Sequence, residues 1–251
     1  MVSLTQAARR PPLRRSLPLA LATVVSLALP VQADQTDRID FDVVLKGITA
    51  GRLTIDGKIE GNSYGANGVM KTAGLVGVLK TIRYDARVSG GYANGVFTPQ
   101  HFAETALRSG NTTEHGIVYK NGKPVSVTRN PPRTPRDRDV APEKQGGTID
   151  PLTALYAVLR DVPRDEACKL KVTMYDGARR SQVALQAPQP AGEGVKCAGE
   201  YRRLEGFSDK EMAEKSRFPF VLTYAPTSDG RLRVVEISTD TIYGKGRLKR
   251  R

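Results

Sequence analysis

Gly146-Gly147-Thr148-Ile149-Asp150-Pro151-Leu152-Thr153-Ala154-Leu155-Tyr156-Ala157-Val158-Leu159-Arg160 is the one convincing helical pattern in a chain that otherwise reads as β-strands. Asp150 suits the N-cap, because its carboxylate accepts from the open N–H groups of a first helical turn. Pro151 then stands at the first helical position, where the missing N–H is no loss. Leu152, Leu155, Tyr156 and Leu159 follow at helical spacing, with Ala154 and Val158 widening the apolar face. The pattern predicts a main helix over about 151–160. Such a helix must bury its apolar face, and the only partner on offer is a sheet. The expected fold is mainly β: an antiparallel meander forming a curved open barrel or β-spiral, with this helix packed on it or plugging it. A helix that fills the concave face makes a solid scaffold. A helix that covers only one end makes Leu152, Leu155 and Tyr156 candidate cavity-lining residues, and this second arrangement is the expectation.

Working outward, the flanks alternate. Ile39, Phe41, Val43 and Leu45 are spaced by Asp40, Asp42 and Val44, the two-residue period of a half-buried strand. Asp37 reads as a loop charge ahead of that strand. Gly47 to Gly51 reads as a turn. Leu75-Val76-Gly77-Val78-Leu79 is an apolar run leading into alternation of Ile82, Tyr84, Ala86 and Val88 against Thr81, Arg83, Asp85 and Arg87. The run reads as a buried central strand or as the lining of an apolar cavity, which makes Leu75, Val76 and Val78 candidate lining residues. Asn94-Gly95, Asn121-Gly122, Asp176-Gly177 and Asp229-Gly230 each stand between a pair of strand patterns, a strong signal for two-residue hairpins. Residues at about 130–147 hold Pro131, Pro132, Pro135 and Pro142 among mixed charges, and read as a mobile surface loop. Ser208-Asp209-Lys210-Glu211 has the form of a capping box and predicts a short helix. Lys245 to Arg251 is a basic run that reads as a solvated end.

Residues 1–33 read as a cleaved leader. Arg9, Arg10, Arg14 and Arg15 precede the apolar stretch Leu17 to Leu29, which is shorter than the ~20 residues of a membrane-spanning helix. Val31-Gln32-Ala33 has small residues at its first and third positions, placing the cut between Ala33 and Asp34. The expected organisation is a signal peptide over 1–33 and a single β-rich domain over 34–251, exported to the periplasm and not integral to the membrane after cleavage. The leader carries four arginines and no acids, so cleavage lowers the net charge from +13 to +9. A basic exported protein meets phospholipid headgroups, lipopolysaccharide or acidic polymers. Nucleic acid is not an expected partner, since no binding motif is present. Two cysteines, Cys168 and Cys197, in an exported chain imply one disulfide. Alternation places both on the apolar faces of strands, where neighbouring strands can be bridged.

Catalytic and metal constellations are missing from the pattern. Nucleophilic catalysis needs a base beside the nucleophile, and the two histidines, His101 and His115, accompany no nucleophile motif. They form no metal-spaced pair, and no metal site is expected. Gly146-Gly147 precedes a helix but lacks the lysine and spacing of a phosphate loop, and no cofactor is expected. Asp40 with Asp42, and Asp161 with Asp165, read as solvent-facing charges. The Arg133, Arg136 and Arg138 cluster is blunted by Asp137 and Asp139.

A set of short motifs carries a resemblance. Gly47-Ile48-Thr49-Ala50-Gly51, Gly74-Leu75-Val76-Gly77 and Asp150-Pro151-Leu152 come first. Val172 to Arg180, Cys197-Ala198-Gly199-Glu200-Tyr201 and Gly206-Phe207 follow. In this order they resemble domain-of-unknown-function family 3108, exported proteins of Gram-negative bacteria. More remotely the chain is similar to β-spiral envelope-integrity proteins and to open-barrel periplasmic lipoprotein carriers. The resemblance implies a periplasmic, mostly antiparallel β-protein and supplies no catalytic residues. The expected function is non-enzymatic: binding or scaffolding, with a lipid, a lipoprotein segment or an envelope protein as partner. The alternative is a hydrolase acting on an envelope polymer through two carboxylates, which would stand about 5–10 Å apart for glycoside chemistry.

Overall fold

The computed structural model describes residues 34–74, 77, 81–241 and 244–251, and within them the two-residue alternation becomes strand. Seven strands come first: β1 (Gln35–Leu45), β2 (Ile48–Glu60), β3 (Ser63–Thr72), β4 (Ile82–Ala93), β5 (Val96–Arg108), β6 (Asn111–Lys120) and β7 (Lys123–Asn130). Helix α1 (Pro151–Leu159) follows. The second run is β8 (Lys171–Tyr175), β9 (Arg180–Ala191), β10 (Gly194–Glu205), helix α2 (Asp209–Glu214), β11 (Arg217–Pro226), β12 (Leu232–Thr241) and β13 (Gly244–Arg250). All 13 strands form one sheet, in the order β7-β6-β5-β4-β3-β2-β1-β13-β12-β11-β10-β9-β8. Each half is a meander, and β1 paired with β13 joins them. The expected antiparallel, curved, open β-architecture is what the chain forms.

The join corrects one expectation. Lys245 to Arg251 is not a solvated end but β13, hydrogen-bonded between β1 and β12 in the middle of the sheet. Its period is two: Lys245, Arg247 and Lys249 are exposed, while Gly246 is buried and Leu248 half-buried. Charge on one face hid a strand whose other face packs inward.

The open edges, β7 and β8, are tied together by residues 131–150. Gly147 N–H donates to Gly122 O in the β6–β7 turn, at 2.9 Å. Ile149 forms a parallel bridge with Met174 of β8. Val140 N–H donates to Ala178 O at 2.8 Å, and Tyr175 Oη donates to Val140 O at 2.9 Å. Gln145, Thr148 and Ile149 are buried. The expected free surface loop is therefore a seam between two sheet edges. Its backbone groups answer the unpaired groups that edge strands present.

The sheet curves round α1. Leu152, Thr153, Ala154, Tyr156, Ala157, Val158 and Leu159 are all buried, leaving Pro151 and Leu155 half-buried. Two glycines make the close approach possible. A Cβ on Gly57 would lie 2.2 Å from the Tyr156 ring, and one on Gly68 would lie 2.7 Å from Leu152 Cδ1. At the N-terminus Asp150 accepts from Thr153 N–H at 2.9 Å. Its other oxygen accepts from the Thr153 hydroxyl, which accepts in turn from Tyr64 Oη at 2.7 Å.

The C-terminal end of α1 is sealed by a polar network. Asp37 lies in β1 and is buried, not a loop charge. It accepts from Tyr156 Oη at 2.7 Å, from Gln35 Nε2 at 2.8 Å and from Asp161 N–H at 3.1 Å. Arg160 is buried, pairs with Glu166 at 2.8 Å and lies over the rings of Tyr92 and Phe97. Asp161 is held by Arg233 at 2.6 Å rather than facing solvent, whereas Asp165 is exposed.

Cys168 and Cys197 form the disulfide, with Cα atoms 5.5 Å apart and 29 residues of separation. Cys197 lies in β10, but Cys168 precedes β8 in a turn at φ +65°. The bridge thus ties the α1–β8 connection to β10 instead of linking two neighbouring strands. Ser208 caps α2 through the full capping box with Glu211.

Candidate functional site

The two ends of α1 differ. Its C-terminal end is closed by hydrogen bonds and ion pairs, while its N-terminal end leaves space. Pro151, Leu152 and Leu155 face Leu53, Met70, Phe102 and Leu248 across a cavity of about 340 Å³, bounded also by Val43, Gly68, Tyr84, Ala86 and Glu104. The lining is apolar apart from Glu104 and the Tyr84 hydroxyl. Gly68 and Ala86 keep side-chain volume low beneath the helix.

A second cavity, of about 590 Å³, lies against the first and shares Tyr84, Phe102, Glu104 and Pro151 with it. Its lining is charged. Arg108, Arg129, Arg133, Arg136 and Arg179 meet Glu104, Glu114 and Asp176 there, with His115 among them. Strand register explains the grouping. Gly68, Ala86, Glu104, His115 and Arg129 are successive cross-strand partners from β3 to β7. This single row runs from small and apolar under the helix to charged at the mouth. The Asp176-Gly177 turn of the β8–β9 hairpin covers the row from the other sheet edge. A Cβ on Gly177, where φ is +84°, would come within 2.3 Å of His115 Nε2 and 3.1 Å of an Arg129 nitrogen.

The electrostatics are uneven. Arg133 and Arg136 share Asp139, at 2.6 and 3.5 Å, and Arg179 pairs with Glu211 at 3.0 Å. Arg108 donates to Tyr84 Oη at 2.9 Å and lies over that ring. Neither Arg108 nor Arg129 pairs with a carboxylate among the described residues. Burial, helped by neighbouring Arg133, lowers the Arg129 pKa. Burial, then Arg129 and Arg133, pushes His115 down to about 4, so its imidazole is neutral at pH 7. Its Nε2 is buried with no hydrogen-bond partner. Burial raises Glu104, with Arg108 pulling the other way.

Of the residues singled out from sequence, Leu152 and Leu155 line the apolar cavity. Tyr156 does not: it points into the notch at Gly57 and binds Asp37. One residue of helix turns the side chain by about 100°, which separates Tyr156 from Leu155. Leu75, Val76, Val78 and Ala33 lie outside the described residues. Asp34 is exposed and accepts from Gly61 N–H at 2.9 Å. Among the described residues, no group of three or more His, Cys, Asp or Glu could hold a metal ion.

Sequence reasoning sets His115 aside and passes over Glu104, Arg108 and Arg129. A two-residue hairpin at Asn121-Gly122 would set His115 opposite Thr128. A bulge between Val118 and Tyr119 shifts the register, so that His115 faces Arg129. Bulges of this kind re-aim side chains.

The model of a family described as protein of unknown function (DUF3108) matches residues 40–202. No curated protein matches the sequence. Among solved structures, the chain is similar to a β-barrel-like protein of domain of unknown function DUF1849 from Brucella abortus. The two share 13% identity over 86% of this chain and 95% of the other, with a TM-score of 0.46.

Proposed function

The chain belongs to the DUF3108 family of proteins of unknown function, and we propose that it is a non-enzymatic periplasmic binding protein that holds the acyl chain of a lipid beside α1. The observation that carries this reading is the apolar cavity of about 340 Å³ at the helix N-terminus, contiguous with a wide polar mouth. Its volume is in the usual range for small-molecule sites, ~300–1,000 Å³. Each methylene moved from water into such a lining is worth about 0.8 kcal/mol. The Cys168–Cys197 disulfide fits an oxidising compartment, as the leader-like N-terminus does. A fluorescent fatty-acid probe tests the reading. It should bind the wild-type protein and be excluded by Leu155→Trp, which fills the cavity; equal binding by both would remove the acyl-chain site.

The hydrolase alternative keeps one point in its favour: Glu104, Glu114 and Asp176 line the same mouth, and burial raises the Glu104 pKa as a general acid requires. Release of soluble fragments from peptidoglycan, lost in Glu104→Gln, would favour it over binding alone.

A further inference from the structure

We propose that the arginine-lined mouth seats a phosphate group, carried at the head of the same amphiphile whose chain enters the apolar cavity. This rests on the acyl-chain reading above and names the ligand's polar end. Five arginines line the mouth against three acids. Three of the five are already matched, by Asp139 and by Glu211. Arg108 and Arg129 are left, on β5 and β7, with no carboxylate partner among the described residues. Arg129 is partly buried, where a cation without a counter-charge is costly and an incoming anion relieves it, while Arg108 is exposed.

The geometry favours phosphate over a carboxylate. Guanidinium forks bind oxygens in pairs, and two forks from separate strands call for an acceptor with three or more oxygens. His115 stands beside Arg129 in the same row, with its Nε2 buried against Gly177. The opposing acids are Glu104, Glu114 and Asp176. An approaching phosphate pushes Glu104 the way burial already does, toward a neutral acid that donates a hydrogen bond. The four residues common to both cavities place the phosphate directly above the chain.

Calorimetric titration of the purified protein with dodecyl phosphate, dodecyl maltoside and inorganic phosphate, all below micelle formation, tests the proposal. Dodecyl phosphate should bind at least ~10-fold more tightly than the uncharged maltoside. Lengthening an alkyl phosphate should tighten binding by about fourfold per methylene until the cavity is full. Arg129→Gln, and separately the exposed Arg108→Gln, should remove most of the phosphate advantage while maltoside affinity and melting temperature hold. Equal binding of the two detergents would overturn the phosphate seat and leave the acyl-chain reading standing. No binding of either would overturn both. Inorganic phosphate binding as tightly as dodecyl phosphate, with no chain-length dependence, would overturn the amphiphile in favour of a free phosphate site.

Discussion

Asp150 is fully buried, and burial raises its carboxyl to about 6 despite the hydrogen bonds from Thr153. The folded state therefore holds this proton more tightly than the unfolded chain, whose aspartate titrates near 4. The protonated fold is favoured, so this group's stabilising contribution is present at low pH and is lost as pH rises from about 4 to about 6. Asp150→Asn keeps an oxygen for the cap and removes the buried charge. Urea unfolding at pH 5 and pH 7.5 should find the Asn variant losing roughly 1–1.5 kcal/mol less than wild type across that interval. Asp150→Ala also escapes that pH-dependent loss but gives up the cap, and should be about 1 kcal/mol less stable than the Asn variant at both pH values. His115 acts with the opposite sign: its depressed pKa makes stability rise with pH from about 4 to 6.5. A second residue-scale prediction concerns the notch at Gly57. Gly57→Ala drives a methyl into the buried Tyr156 ring and should lower stability by about 1–3 kcal/mol. Circular-dichroism melting checks it, and an unchanged melting temperature would mean that the ring is not seated there. The Asp150 cap was legible in sequence because it is local. The Asp37–Tyr156 bond was not, since its partners stand 119 residues apart.

At the scale of elements, Asn94-Gly95 and Asn121-Gly122 form the expected two-residue hairpins, whereas Asp176-Gly177 and Asp229-Gly230 sit in longer connections, 176–179 and 227–231. Four of the six Asn-Gly and Asp-Gly pairs lie in turns between consecutive strands, while Asp56-Gly57 and Asn67-Gly68 lie inside β2 and β3. What sequence could not supply was closure. β13 pairs with β1 across nearly the whole chain, and no local pattern records that. Its interior place in the sheet predicts that removing residues 244–251 prevents folding. Far-ultraviolet dichroism of the truncated chain should lack the cooperative melt of wild type; a normal melt would contradict the pairing. The residue 131–150 seam escapes a sequence reading for a related reason. Prolines and charges mark irregular backbone, but irregular backbone can still be pinned between two edges. The disulfide fixes the connection that leaves α1. Cys168→Ser should cost about 3–4 kcal/mol in the chain-entropy model for a loop of this length. The melting temperature, with and without reductant, reads it out: reductant should destabilise wild type and leave the variant unmoved.

The described residues from Asp34 onward form a curved sheet round helix α1, with a sealed end and an open end. The sealed end sets charged groups against one another: Asp37, Arg160, Asp161 and Arg233 are all engaged. The open end keeps an apolar cavity beside Leu152 and Leu155, under a mouth where Arg108 and Arg129 lack carboxylate partners among the described residues. Only half of this was legible beforehand. The helix announced its apolar face, but sheet curvature and register decided which of its residues meet space. Tyr156 is buried by a glycine on β2, while Leu155, one position earlier, remains at the cavity wall. The helix therefore neither fills the concave face outright nor covers only one end: it fills the middle and leaves space at its own N-terminus. The most direct test of the acyl-chain site is native mass spectrometry of the protein purified gently from its own compartment. Wild type should carry one acyl-lipid adduct, and Leu155→Trp should carry none while melting normally. Wild type free of lipid, with no gain in melting temperature on adding phospholipid or a fatty acid, would contradict the account.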